Sequence, residues 1–186
     1  LLIINNYPSS NRTIYKFVHD RVKEYKKSIN ITVYCLNSSK EKDYVYEGVN
    51  VIVGDKKRLL KIINSNEYNK YLFHSLNINM SKLILKHLVN KKIFIWFHGT
   101  DCLSWKKRLG NINFDKYFIF KPIVLLKIIP FIIINISKLK KIIKINLKCK
   151  YVNFIFVSNW LKDASEKDLK IKYKNSNIIP NYINTK

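Results

Sequence analysis

The sequence predicts an α/β fold: a mainly parallel β-sheet with helices on both faces. Three observations carry this. Short β-branched, apolar runs alternate with stretches of helical periodicity along the chain. A strand, a helix and a second strand fit within residues 1–36, the length of a right-handed βαβ unit. Finally, 47% of the 186 residues are hydrophobic and 13% aromatic, enough for one ordinary core and too apolar for a disordered chain.

The elements follow in order. Leu1–Ile4 reads as a buried strand, and Asn5-Asn6-Tyr7-Pro8-Ser9-Ser10 as the loop that ends it. From Arg12 to Lys27, Ile14, Val18, Val22 and Tyr25 recur at spacings of four and three, one stripe of an amphipathic helix. Ile29–Leu36 is β-branched and reads as a strand. Tyr44–Val53 is a strand pair or one long strand, with a turn at Glu47-Gly48. Lys56–Asn66 is a helix, Tyr71–Ser75 a strand, and Ser81–Asn90 a helix with Ser81 as N-cap. Lys92–His98 and Val152–Ser158 are strands. Asn159–Lys172 is a helix capped by Ser158 or Asn159, and Asn177–Pro180 is the last strand.

The net charge is +23. Such an excess attracts anions: nucleic acid, an acidic membrane or a phosphorylated substrate. A chain this rich in Lys, Asn and Ile also arises from A/T-rich codons, so the charge has two readings. Cys35, Cys102 and Cys149 are odd in number and widely spaced. They predict neither a disulfide framework nor a zinc site, and they fit a reducing compartment. No basic region precedes the opening apolar run, so it is a core strand rather than a signal peptide. With no initiator Met, the chain reads as a fragment at this end.

The segment Tyr117–Lys150 stands apart. No acidic residue occurs between Asp115 and Asp163. Its longest uncharged run, between Lys127 and Lys138, is far short of the roughly 18–20 residues of a spanning helix, and Pro122 and Pro130 interrupt it. Within Ser137–Lys150, Lys140, Lys141, Lys144 and Lys148 share a face opposite Leu139, Ile142 and Ile143. Such a face suits anionic lipid headgroups, and equally a helix packed on the sheet with its lysines in water.

Ligands of open α/β sheets bind outside the carboxyl ends of the strands. Three polar clusters fall on that rim: Asn5–Arg12, with Ser10, Asn11 and Arg12; His74-Ser75; and His98-Gly99-Thr100-Asp101. Gly99 lets a ligand approach the backbone beside His98. Other chemistries find no motif: GxxxxGK[ST], GxGxxG, GxSxG and HExxH are all absent. His19 lies beside Asp20 on a helix, where neighbours do not face each other. Helix-turn-helix, RNP and zinc-finger patterns are missing, and no nucleic-acid partner is expected.

Six segments in order resemble the amino-terminal half of family 4 glycosyltransferases, the retaining GT-B group. Tyr7-Pro8, Phe17-Val18-His19 and Ile31-Thr32-Val33 are similar to its opening βαβ. Tyr46-Glu47-Gly48-Val49-Asn50-Val51 resembles its "YEGVxV" segment and Phe73-His74-Ser75 its strand-end "HxH/HS" site. Phe97-His98-Gly99-Thr100-Asp101 is close to its "xHGTD" loop, and Phe156-Val157-Ser158-Asn159-Trp160-Leu161 to "xVSEWL". Ile179-Pro180-Asn181-Tyr182-Ile183 resembles the "IPNGVD" segment that leads into the second domain.

The resemblance implies two Rossmann-like domains facing across a cleft. Residues 1–180 would be the acceptor-side domain, with the 117–150 segment inside it. Residues 181–186 would begin the linker to an absent donor-binding domain that carries E-x7-E. The nucleotide-sugar would be a co-substrate held mainly by that domain, with no other cofactor and no metal. His98 would contact the donor sugar or the developing charge. Gly99, Thr100, Asp101, His74, Ser75, Ser10, Asn11, Arg12 and Ser158 would line the substrate site. The acceptor would be a saccharide or lipid-linked, in polysaccharide or glycolipid assembly at the cytoplasmic face of a membrane. The chain alone would be inactive. Two departures stand out: Ser9-Ser10-Asn11-Arg12 replaces the usual glycine-rich loop, and Asn159 replaces the Glu of "VSE". A competing class is a non-catalytic basic α/β module that binds anionic membrane or nucleic acid.

Overall fold

Near-continuous apolar runs in the inner strands dictate a sheet buried on both faces. The computed structural model describes residues 1–9, 15–37, 42–99, 101–110 and 122–181. Its strands are β1 (Leu2–Ile4), β2 (Val33–Leu36), β3 (Lys42–Tyr46), β4 (Val49–Gly54), β5 (Lys70–His74), β6 (Lys92–Phe97), β7 (Val152–Phe156) and β8 (Ser176–Ile178). Its helices are α1 (Lys16–Lys26), α2 (Lys56–Asn64), α3 (Ile78–His87), α4 (Trp105–Gly110), α5 (Pro122–Lys148) and α6 (Asn159–Leu169).

The sheet order is β3-β4-β2-β1-β5-β6-β7-β8, parallel except for the β3–β4 pair. This is the Rossmann-like α/β architecture expected. The chain starts at β1, builds outward to β4, then returns to β5 on the other side of β1. Strand order therefore reverses between β1 and β5, and in open α/β sheets it is at the carboxyl ends of such strands that ligands bind.

The two faces are covered unequally. Leu2, Ile4, Val33, Cys35, Val49 and Val51 pack against Val18 and Val22 of α1. The alternate residues, among them Ile3, Phe73, Ile95 and Phe154, meet Leu59 of α2, Ile84 of α3, Ile142 of α5 and Leu161 of α6.

Several boundaries differ from expectation. Helix α3 starts at Ile78, not Ser81, because the Asn77 side chain accepts from the Met80 N–H at 2.8 Å and caps it. Ser81 sits inside the helix, its hydroxyl donating to the Asn77 carbonyl at 2.8 Å. Strand β2 is paired only from Val33, where it meets Leu2 and Val51. Tyr44–Val53 resolves into a hairpin, with Glu47 (φ 44°) and Gly48 (φ 77°) both left-handed, as a tight two-residue turn requires. Helix α6 stops at Leu169 because Lys170 turns left-handed (φ 53°). Pro130 does not break the 117–150 segment. It lies exposed on α5, a 27-residue helix that opens at Pro122, a position suited to the ring's fixed φ. Among the described residues no helix is long and apolar enough to cross a membrane.

Candidate functional site

The parallel register of β5 and β6 sets His74 opposite Trp96. His98 lies two residues beyond Trp96, so strand periodicity returns it to the same face. The two imidazoles meet there: His74 Nδ1 and His98 Nε2 are 2.9 Å apart and share one hydrogen. His74 stacks on the Trp96 ring with centroids 5.2 Å apart, and Phe17 of α1 sets its edge against His98 at 5.1 Å. Arg21, also from α1, lies over the indole as well, with its guanidinium carbon 3.7 Å from the ring centroid. Arg21 Nη2 donates to the Pro180 carbonyl at 3.0 Å, tying α1 to the chain beyond β8.

Burial governs the charge state of this cluster. It holds His74 well below the ordinary histidine range, and the charges of His98 and Arg21 push the same way. His98 is lowered to about 4 by burial, then by Arg21. Both rings are therefore neutral at pH 7. In either tautomer arrangement the pair presents one N–H and one lone pair at its outer nitrogens, His74 Nε2 and His98 Nδ1.

The loop after β6 is held from inside. Asp101 Oδ1 accepts from the backbone N–H groups of both His98 and Gly99, each at 3.0 Å. Burial raises its carboxyl to about 6, opposed by Lys138 and these donors. Gly99 has φ 131°, and among the described residues no atom lies within 4 Å of where a Cβ would stand. Across the switch point, Asn77 Nδ2 donates to Asn5 Oδ1 at 2.7 Å, joining the ends of β1 and β5.

Of the expected site residues, His74, His98 and Gly99 come together on the rim, with Ser75 following β5 in a left-handed turn (φ 53°). Asp101 points into its own loop. Ser158 spends its hydroxyl capping α6, accepting from the Leu161 N–H at 3.2 Å. Ser10, Asn11, Arg12 and Thr100 lie outside the described residues. Lys140, Lys144 and Lys148 are exposed on α5, whereas Lys141 is half-buried with its amine 3.0 Å from Ser137 Oγ. Leu139 and Ile142 are buried beneath, and Ile143 partly so. No three His, Cys, Asp or Glu side chains among the described residues are grouped to hold a metal ion.

Two members of the cluster, Arg21 and Trp96, are not evident as rim residues from motif spacing. His19 turns to partners other than its helical neighbour Asp20. Its Nδ1 meets the Tyr7 hydroxyl at 2.8 Å and its Nε2 meets Glu47 at 3.2 Å, while Lys23 donates to the same carboxylate at 2.7 Å. The Tyr46-Glu47-Gly48 turn thus anchors α1 to the sheet, a structural task. A cavity of about 740 Å³ lies elsewhere, at the amino ends of the strands, against Leu1, Leu72, Phe94 and Ile155.

No protein-family model matches this chain, and no curated protein is significantly similar to it. The reading of the site therefore rests on its geometry and on the ordered motifs.

Proposed function

We propose that the chain is the acceptor-side half of a retaining, two-domain glycosyltransferase that moves a hexose from a nucleotide-sugar to a saccharide or lipid-linked acceptor. The observation that supports it most is the neutral His74–His98 pair beside the β1/β5 switch point, with Gly99 next to it. A neutral imidazole can hydrogen-bond a sugar hydroxyl without placing a full positive charge against it. In such a transfer the bond from the anomeric carbon to the leaving phosphate breaks and the bond to the acceptor oxygen forms. The acceptor proton goes to a phosphate oxygen. His98 would hold the sugar through its hydrogen bond, and His74 would fix the tautomer and orientation of His98.

The test is labelled hexose transfer by the full-length protein from a panel of nucleotide-sugars. Label should enter a saccharide or glycolipid fraction. His98→Ala should lower kcat about 100-fold, the effect of removing one preorganised donor, with little change in Tm. Absence of transfer from every donor, or unchanged kinetics in the variant, would reject the reading.

The outer face of α5 supports a membrane-bound acceptor. Ile129, Ile133 and Ile134 are exposed toward its start, and Lys140, Lys144 and Lys148 toward its end. An apolar half beside a basic half fits the headgroup layer of an anionic membrane.

A further inference from the structure

Arg21 is a buried cation without an anion. It is only 8% exposed, and among the described residues no carboxylate pairs with it. Its Nη1 has no hydrogen-bond partner among the described residues. The Trp96 ring offers a cation–π contact, with the guanidinium carbon 3.7 Å from its centroid. Withdrawing a guanidinium from water costs several kcal/mol. One ring and one carbonyl leave that charge under-compensated.

The neighbouring polar atoms are in the same condition. Trp96 Nε1, His74 Nε2 and His98 Nδ1 are buried and unpartnered. An indole nitrogen only donates, and the histidine pair contributes one further N–H whichever tautomer it adopts. The cluster therefore holds unpaired N–H groups of three kinds, guanidinium, indole and imidazole, on side chains that stack on one another beside one positive charge. The carboxylates nearest along the chain are otherwise engaged: Asp20 pairs with Lys16, Glu24 with Lys27, and Asp101, three residues beyond His98, has one oxygen committed to the His98 and Gly99 backbone. A set of donors with a cation suits an oxyanion. Arg21 has one Nη2 hydrogen tied to Pro180, which leaves both hydrogens of Nη1 for a ligand. A phosphoryl group can accept from donors that reach it in different directions.

The geometry points to a phosphoryl-binding site formed by Arg21, Trp96, His74 and His98 on the carboxyl rim of the sheet. It shares the rim with the transferase reading and rests on that reading only for the identity of the natural ligand. The excess of positive charge on the chain would draw such a group toward it.

Inorganic phosphate and acetate are titrated into the 186-residue chain at fixed ionic strength, with the indole N–H resonances followed by NMR. Trp96 should shift saturably with phosphate at low millimolar concentration or below, and acetate should not saturate it. Trp160, which is 64% exposed, should not follow, since it reports only loose association with a cationic surface. Arg21→Lys keeps the charge but loses the planar group, and should weaken phosphate about tenfold. If that variant does not fold by circular dichroism, His98→Asn replaces it, with an expected weakening of about threefold. A linear Trp96 response, equal saturation by acetate, an identical response at Trp160, or an unchanged affinity in the folded variant would each overturn the assignment. Phosphate binding without any hexose transfer would keep this site and sink the transferase reading; transfer without saturable phosphate binding would do the reverse.

Discussion

His98 and Asp101 lie three residues apart and respond to acid in opposite senses. His98 ionises at about 4 in the folded chain against 6.5 ordinarily, so the unfolded chain takes up that proton first. Its contribution is complete above about pH 6.5 and is lost as the pH falls toward 4. His74 acts in the same direction. Asp101 ionises at about 6 against 3.8 ordinarily, so the folded chain takes up its proton first. Stability from Asp101 is therefore greatest in acid and declines as the pH rises from about 4 to 6. The opposed trends partly cancel in the native protein. Asp101→Asn keeps an oxygen for the two backbone donors and removes one trend. Calorimetry should then show Tm rising more steeply with pH between 4 and 6.5 than in the parent. An identical profile would mean that the carboxyl is not desolvated. In the first turn of α1, His19→Ala should leave the buried Tyr7 hydroxyl unsatisfied and lower stability by about 1–3 kcal/mol in urea titration, because burial makes an orphaned hydroxyl expensive.

At the scale of elements, strands were legible because short β-branched runs have few other uses, whereas the longer apolar run after Pro122 became helix α5. Helix ends were less so. Asn77 and Ser81 are both capping residue types four apart, and spacing alone does not rank them. Asn77 prevails because its side chain satisfies Met80 while also bonding Asn5 across the switch point. Asn77→Ala should cost about 1–2 kcal/mol, whereas Ser81→Ala, within an already capped turn, should cost about 0.5 kcal/mol or less. Chemical denaturation of the two variants separates them, and equal losses would contradict the observed cap. The rim histidines were legible because each ends an apolar strand. Arg21 was hidden by its charge, although the signal was present. It falls at i+3 between Val18 and Val22, with Tyr25 at i+7, so helical periodicity already turned it inward. A charged residue on an apolar stripe is the pattern to look for.

For the whole molecule, α5 couples core to surface. Its 27 residues extend about 40 Å, and its inner face cannot be removed, because Leu139, Ile142 and Ile145 belong to the main core. Deleting 117–150 would unfold the chain rather than test membrane contact. The outer face can be altered alone. Ile129 and Ile133 are 51% and 61% exposed, and burying each in lipid would contribute about 1.5–3 kcal/mol. Lys140 and Lys144 would add about 1 kcal/mol apiece beside anionic headgroups. The sum predicts reversible attachment that weakens with salt, since the lysine share is screened within a Debye length of about 8 Å. Vesicles rich in phosphatidylserine should sediment the parent chain. Lys140→Glu with Lys144→Glu should reduce binding at least about tenfold, because charge reversal replaces attraction by repulsion. Ile129→Ser with Ile133→Ser should lower binding at high salt, where only the apolar share remains. Equal sedimentation of all three proteins would show that the +23 charge acts diffusely, and α5 would then be a core helix with a solvated outer face.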